Sequence, residues 1–147
     1  MFKKNPQGFE KLSNTSEKLV KDFLKTRFTL ELTGKFFTYR DEVYYSEKYS
    51  DTFWEDFFFY KCGVKIGKIE SGEFIPNFFL GTHFGIFSKN SLTVSEEDLA
   101  KLLRGEELES SLEDGYYQIV SDIYAAGIIK VKNASQKSLL ETRFLRK

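Results

Sequence analysis

Few side chains in this 147-residue chain have the types and spacing that catalysis needs. His83 is the only histidine and Cys62 the only cysteine, and neither stands in a motif typical of a nucleophile with its base. Together they fall short of the four ligands of a usual zinc site. The Gly63-x-x-x-Gly67-Lys68 run lacks the first half and the final Ser or Thr of a phosphate-binding loop. The sequence therefore predicts no catalytic residue, no metal site and no cofactor.

Basic side chains near the C-terminal end offer a different chemistry, the binding of phosphates. The chain has 22 basic and 22 acidic residues, so only a local excess of charge could select an acidic partner. Residues 95–114 hold two bases and eight acids, a net charge of −6, whereas residues 115–147 hold six bases and two acids, a net charge of +4. On an extended strand Lys130 and Lys132 share one face, from which they could contact phosphates. The alternative is an ordinary solvated strand edge protected by lysines.

Two helices are predicted to position these residues. Asn14 followed by Glu17 has the capping-box pattern, and apolar residues then recur at helical spacing, which predicts a helix over about residues 15–27. A second helix is expected to begin after Ser95, as its N-cap, and to end at Gly105, which can adopt the left-handed conformation.

Short runs of β-branched and aromatic residues, separated by turn-forming residues, predict the strands. A hairpin is expected around Asp41-Glu42, and an acidic connector over residues 108–114. The predicted strand segments are 35–40, 43–46, 57–69, 74–76, 115–120 and 124–132, with an extended end over 137–147. The pattern is that of an α+β protein, which we divide into an N-terminal domain, residues 1–90, and a C-terminal domain, residues 91–147.

The C-terminal part carries a resemblance to a known family. Val94–Leu108 forms an apolar helix that ends in Leu103-Arg104-Gly105, and it resembles the opening of PUA domains, where a helix ends in a Leu-x-Gly or Leu-Arg-Gly turn. Gly115–Val120 and Ser121–Val131 resemble the turn and strands that follow in that family. The variant that the chain resembles most is the PUA-like tail of the Sun-family RNA cytosine-5 methyltransferases.

Three runs in the N-terminal part extend the resemblance. Gly72-Glu73-Phe74-Ile75-Pro76 is similar to the Gly-Arg-Phe-x-Pro step of the methyltransferase family. The runs Val43–Glu47 and Gly81–Lys89 are similar to segments in the pre-PUA domain of a ribosome-biogenesis family. The resemblance implies an N-terminal α/β pre-PUA subdomain followed by a PUA-like mixed β pseudo-barrel.

PUA domains bind RNA in tRNA- and rRNA-modifying enzymes and in ribosome-assembly factors. The resemblance therefore implies an accessory protein that binds structured rRNA or tRNA, beside a modification enzyme or a ribosome-assembly factor. It places the RNA contacts on the helix, its glycine turn and the late strands. The implied contacts are Lys101, Arg104, Gly105, Lys130, Lys132, Lys137, Arg143 and Arg146.

Two other functions stay open at this point. A protein–protein interaction scaffold could dock through the acidic residues 106–114, and it is favoured by Ile123 and Ala125, which stand where the family has glycine and proline. A small enzyme would need His83 beside an acid in a deep pocket. The sequence has neither the apolar run of a signal peptide nor a membrane-spanning segment, so we expect a cytoplasmic protein without a membrane partner.

Overall fold

The computed structural model describes residues 10–47 and 63–140. These residues form an α+β fold made mostly of strands, with a sheet curled into a half-barrel. None of the described helices is long and apolar enough to cross a membrane. The predictions about Cys62, about residues 57–62 of the expected strand, and about Arg143 and Arg146 lie outside the described residues.

The first sheet has five antiparallel strands in chain order: β1 (Glu10–Lys11), β2 (Lys35–Tyr39), β3 (Glu42–Ser46), β4 (Val64–Glu70) and β5 (Glu73–Pro76). The predicted hairpin is confirmed, but its turn is Arg40-Asp41 rather than Asp41-Glu42. Both turn residues have left-handed φ angles, 48° and 67°, as the favoured two-residue hairpin turn requires. Ile66 is an extra residue in the pairing of β3 with β4, and such a bulge bends a sheet.

The second sheet also has five strands, in the order β6 (Ser91–Thr93), β8 (Gly115–Ser121), β9 (Tyr124–Lys132), β10 (Ser135–Ser138) and β7 (Leu108–Glu109). β6 pairs with β8 in parallel, and the other pairs are antiparallel. The connector predicted over residues 108–114 was wrong at its start, because its first two residues pair with β10 as a short strand. The turn between β8 and β9 begins one residue later than predicted, at Asp122.

Three helices complete the described fold: α1 (Asn14–Phe28), α2 (Leu80–His83) and α3 (Glu96–Leu103). The predicted N-cap of α1 was wrong: Ser13 caps the helix, its hydroxyl accepting from the backbone N–H of Ser16 at 3.2 Å. The cap of α3 is confirmed, since Ser95 accepts from the N–H of Asp98 at 3.1 Å. Gly105 follows α3 with a φ of 85°, also as predicted.

The second sheet is covered on both faces. Leu102 of α3 packs on one face with a small core, formed by Tyr117, Ile119, Ile129 and Val131. The other face joins a larger core that combines α1, the inner face of the first sheet and Ile128 of β9. Phe28 of α1 and Phe87, whose rings are 4.8 Å apart, lie in this shared core. The two sheets are therefore held together by one hydrophobic core.

Candidate nucleic-acid interface

Three lysines of β9 and β10 lie together on one face of the second sheet. Lys130, Lys132 and Lys137 line a groove of about 590 Å³, which also contains Glu107 and the backbone around the β9–β10 turn. We call it the lysine groove. Lys137 lies directly opposite Lys130 in the register of β9 and β10. Strand alternation and the hairpin together thus place the three ammonium groups on one face.

The local sequence explains why these side chains point outward. In β9, Ile129 and Val131 are buried under α3, and the alternate residues Lys130 and Lys132 are exposed on the opposite face. The β9–β10 turn, Asn133-Ala134, has φ angles of 53° and 63°, so β10 returns in tight register.

Most of the positive charge in the lysine groove is uncompensated. Within the described part of the chain, Lys132 and Lys137 form no ion pair, and Lys130 lies over the ring of Tyr116 with its Nζ 5.6 Å from the ring centroid. Glu107 is the acid that lines the groove. Among the described residues that line the groove, three lysines against one carboxylate give a local charge of +2, which favours an anionic ligand.

Tyr116 lies beside Lys130, its partner in the register of β8 and β9, and Phe23 of α1 packs against its ring. Burial raises the pKa of its hydroxyl, and the Glu73 carboxylate raises this pKa further, whereas Lys68 lowers it. The phenol is therefore neutral at physiological pH. Phe23 also packs against Phe74 of β5, so Tyr116 lies near the edge strand of the first sheet.

The structure does not bring all of the predicted contacts into this groove. Lys101 and Arg104 belong to α3 and its end, which cover the opposite face of the second sheet. Lys101 lies 3.6 Å from a carboxylate oxygen of Glu97, and Arg104 contacts Glu106 at 2.8 Å through Nη2. Gly105 ends the helix on that side. Of the eight predicted contacts, three line the groove, three lie at α3, and Arg143 and Arg146 fall outside the described residues.

His83 is the last residue of α2, and its ring is exposed and packs edge-on against Phe84 at 5.1 Å between centroids. Among residues 10–47 and 63–140, no group of three or more His, Cys, Asp or Glu side chains could hold a metal ion.

The sequence reasoning missed one fully buried polar side chain, Gln118. Its Nε2 donates to the carbonyls of Gly81 and Gly85 at 3.1 and 2.7 Å, and its Oε1 accepts from the N–H of Phe87 at 2.7 Å. This residue ties the segment around α2 to β8. A glutamine flanked by apolar residues in a predicted strand is the signal that could have identified it.

Arg27 was missed as well, although it joins α1 to the second sheet. Its Nε donates to the carbonyl of Tyr116 at 2.6 Å, and its guanidinium lies 4.4 Å from the ring centroid of Tyr117. Nearby, the Asn90 amide donates to the Arg27 carbonyl at 2.6 Å. These contacts fix the start of β8, whose Tyr116 lies beside Lys130.

No protein-family model matches the chain, and a comparison with curated proteins finds no match either. The resemblance to PUA domains rests on the sequence motifs and stays a prediction.

Proposed function

We propose that this protein binds structured RNA, rRNA or tRNA, as an accessory factor in RNA modification or ribosome assembly, through a C-terminal PUA-like domain. The observation that carries the proposal is the lysine groove, whose described lining has three lysines on one face and a single carboxylate. The resemblance to PUA domains supplies the class of nucleic acid. The groove supplies the chemistry, because lysine ammonium groups are point charges suited to phosphate oxygens.

The spacing of the lysines is compatible with a phosphate backbone. Residues two apart on a strand are roughly 7 Å apart, and opposed residues on neighbouring strands are roughly 5 Å apart. Lys130, Lys132 and Lys137 therefore start from points close enough to contact neighbouring phosphates of one RNA strand. Such contacts confer affinity for RNA without reading its sequence, and double-stranded RNA exposes mainly phosphates and 2′-hydroxyls.

A protein-interaction scaffold is the alternative, and the position of β7 favours it. β7 is the last strand of the described second sheet, and acidic residues flank it from Glu106 to Asp114. An edge strand can accept a strand from a partner, and the surrounding carboxylates would select a basic one. Changing Glu106, Glu107 and Glu109 to lysine should then abolish capture of such a partner.

RNA binding is tested by fluorescence anisotropy with tRNA and rRNA fragments at about 50 and 200 mM salt. Three phosphate contacts predict that affinity falls about 20- to 40-fold over this range. Changing Lys130, Lys132 and Lys137 together to Gln should remove most of this affinity and most of its salt dependence. The matched control changes three exposed lysines of α1, Lys18, Lys21 and Lys25, to Gln, which removes the same charge elsewhere.

Two results would contradict the proposal. The first is an absence of RNA binding by the unaltered protein at low salt, which would leave the scaffold as the working function. The second is an equal loss in both triple variants, because this would show that affinity follows total charge rather than the lysine groove.

A further inference from the structure

A second groove adjoins the lysine groove across the junction of the two sheets. It has a volume of about 400 Å³ and lies on the outer face of the first sheet, where Lys65, Lys68, Glu42 and Asn77 line it. Leu139 lines both grooves, so they meet at this side chain. We call the second one the first-sheet groove.

The position of Leu139 is set by the backbone. Its N–H donates to the carbonyl of Ile128 at 3.0 Å, which extends the pairing of β10 with β9 by one step. On the other side, the end of β5 is held by the N–H of Asn77, which donates to the carbonyl of Ile66 at 2.8 Å. Both walls of the junction therefore belong to hydrogen-bonded sheets rather than to loose loops.

Tyr116 of β8 lies between the lysine groove and the edge strand of the first sheet. Lys130 of the lysine groove lies over its ring, and the positive charge of Lys68 acts on the pKa of its hydroxyl. Phe23 of α1 packs against Tyr116 at 6.0 Å and against Phe74 of β5 at 5.2 Å, which fixes the tyrosine against the edge of the first sheet. Lys130 thus contacts a tyrosine that lies near β5, the strand in which Ile75 pairs with Lys68.

The two lysines of the first-sheet groove differ in availability. Lys65 forms an ion pair with Glu42 at 2.9 Å, and both side chains are about two-thirds buried or more. If Lys65 left Glu42 to bind a phosphate, the Glu42 carboxylate would stay partly desolvated without this counter-charge. Lys68 is paired with Glu70 at 2.8 Å, but both side chains are at least half exposed. An exposed ion pair contributes only about 0 to 1 kcal/mol, so a phosphate can compete for Lys68.

Resting on the proposed RNA-binding function, we infer that the phosphate-binding surface continues through Leu139 and Tyr116 onto the first sheet, where Lys68 is its phosphate contact. The ligand is then a length of RNA backbone that bridges both sheets, rather than a single phosphate group. Glu70 acts against this contact, because its carboxylate accepts from the same ammonium group that the phosphate would bind.

The test measures RNA affinity as a function of salt for Lys68→Gln and for a matched control, Lys25→Gln. Lys25 is also an exposed lysine in an ion pair, 3.8 Å from Glu31. It lies about 200° around the axis of α1 from Phe23, and therefore on the side of the helix away from Tyr116. Loss of one phosphate contact predicts that the salt slope of Lys68→Gln decreases in magnitude by about 0.7 to 0.9. Between about 50 and 200 mM salt, the affinity of the unaltered protein should then fall about threefold more than that of the variant.

A second pair of variants tests the competition by Glu70. Glu70→Gln should raise the affinity for RNA, because it frees Lys68, and Glu31→Gln, which removes the same charge beside Lys25, should change the affinity less. If RNA binding depends on Lys130, Lys132 and Lys137 but Lys68→Gln keeps the full salt slope, the surface ends at Leu139 and this inference fails alone. If the unaltered protein binds no RNA, the inference and the proposed function fail together.

Discussion

The clearest test of how this fold positions its candidate site is the replacement of Gln118 by leucine. Gln118 has no exposed surface, and its amide makes three hydrogen bonds to the backbone of residues 81–87. Leucine fills much of the same volume but neither donates nor accepts a hydrogen bond. The substitution therefore isolates the hydrogen bonds from the packing.

The expected cost follows from the number of backbone groups left unpaired. The two carbonyls of Gly81 and Gly85 and the N–H of Phe87 would lose their partner, at about 1 to 3 kcal/mol for each group that stays buried. We expect a total loss of about 3 kcal/mol, because some of these groups lie near the surface and can bind water. For a chain of this length, that loss lowers the melting temperature by roughly 6 to 12 °C.

The matched control is Gln136→Leu in the same sheet. The Nε2 of Gln136 donates to the carbonyl of Glu109 at 3.2 Å in an exposed position, and its Oε1 is buried with no hydrogen-bond partner among the described residues. Removing that unsatisfied oxygen offsets the loss of the hydrogen bond, so this variant should stay within about 1 kcal/mol of the parent. Urea and thermal unfolding, each followed by circular dichroism, measure both effects.

A further variant, Gln118→Glu, tests the direction of the hydrogen bonds. A carboxylate at this position would face the carbonyls of Gly81 and Gly85, and it would be buried without a counter-charge. Protonation supplies one donor, so the variant should gain stability relative to the parent as pH falls. Equal stability losses for Gln118→Leu and Gln136→Leu would refute the proposed role of the Gln118 hydrogen bonds in holding residues 81–87. The same conclusion would follow if the stability of Gln118→Glu relative to the parent did not change with pH.

Two other predictions concern the junction of the sheets. Gly127→Ala should lower the free energy of unfolding by at least about 2 kcal/mol, because φ is 147° and the added Cβ would lie 2.2 Å from the ring of Phe78. The control is Gly72→Ala, whose added Cβ has no atom within 4 Å and which should cost only about 1 kcal/mol. Equal costs for the two variants would contradict the close packing of Gly127 against Phe78. The parent should lose stability as pH rises from about 9 to about 11, and Tyr116→Phe should reduce this loss. The folded-state pKa of Tyr116 is raised, so its contribution is complete below the unfolded-state value of 10.0 and is lost as pH rises through the folded-state pKa. Parallel melting curves for parent and variant over that range would contradict this prediction.

Local signals were enough to predict the elements whose ends are encoded nearby. The cap at Ser95 and the left-handed Gly105 defined α3 from both ends, and both features are present. At α1 the same reasoning chose the wrong one of two adjacent capping residues, Asn14 instead of Ser13. Both residue types cap helices well, so only the position of the Ser16 N–H distinguishes them.

Elements that depend on distant parts of the chain escaped the sequence reasoning. β6 has three residues, and it forms by parallel pairing with β8, about 27 positions away in the chain. No local sequence pattern predicts such a pairing. The four-residue helix α2 is packed through Gly81 against the backbone of Gly127, where an added Cβ would lie 2.2 Å from the carbonyl oxygen. Their stability comes from tertiary contacts rather than from intrinsic propensity.

The candidate site divides along the same line. The alternation of β9 predicted that Lys130 and Lys132 share a face, and the short turn after them brings Lys137 alongside. The position of Tyr116 near β5 and the meeting of the two grooves at Leu139 could not be predicted, because both depend on how one sheet packs against the other. Residues of one hairpin are accessible to sequence reasoning, whereas contacts across a core are not.

A chain without net charge can still have a cationic groove, because in this fold the second sheet lies between the acids of α3 and the lysines of the lysine groove. The acids at the start of α3, Glu96, Glu97 and Asp98, lie on a helix that covers the face of the second sheet opposite the lysines. A packed layer plus the width of a helix places their outer side roughly 15 to 20 Å from the lysine face. The Debye length at physiological ionic strength is about 8 Å, so these acids hardly reduce the potential that a ligand meets in the lysine groove. Glu107 is different, since it lines the groove itself, and it sets the local charge that an approaching phosphate experiences.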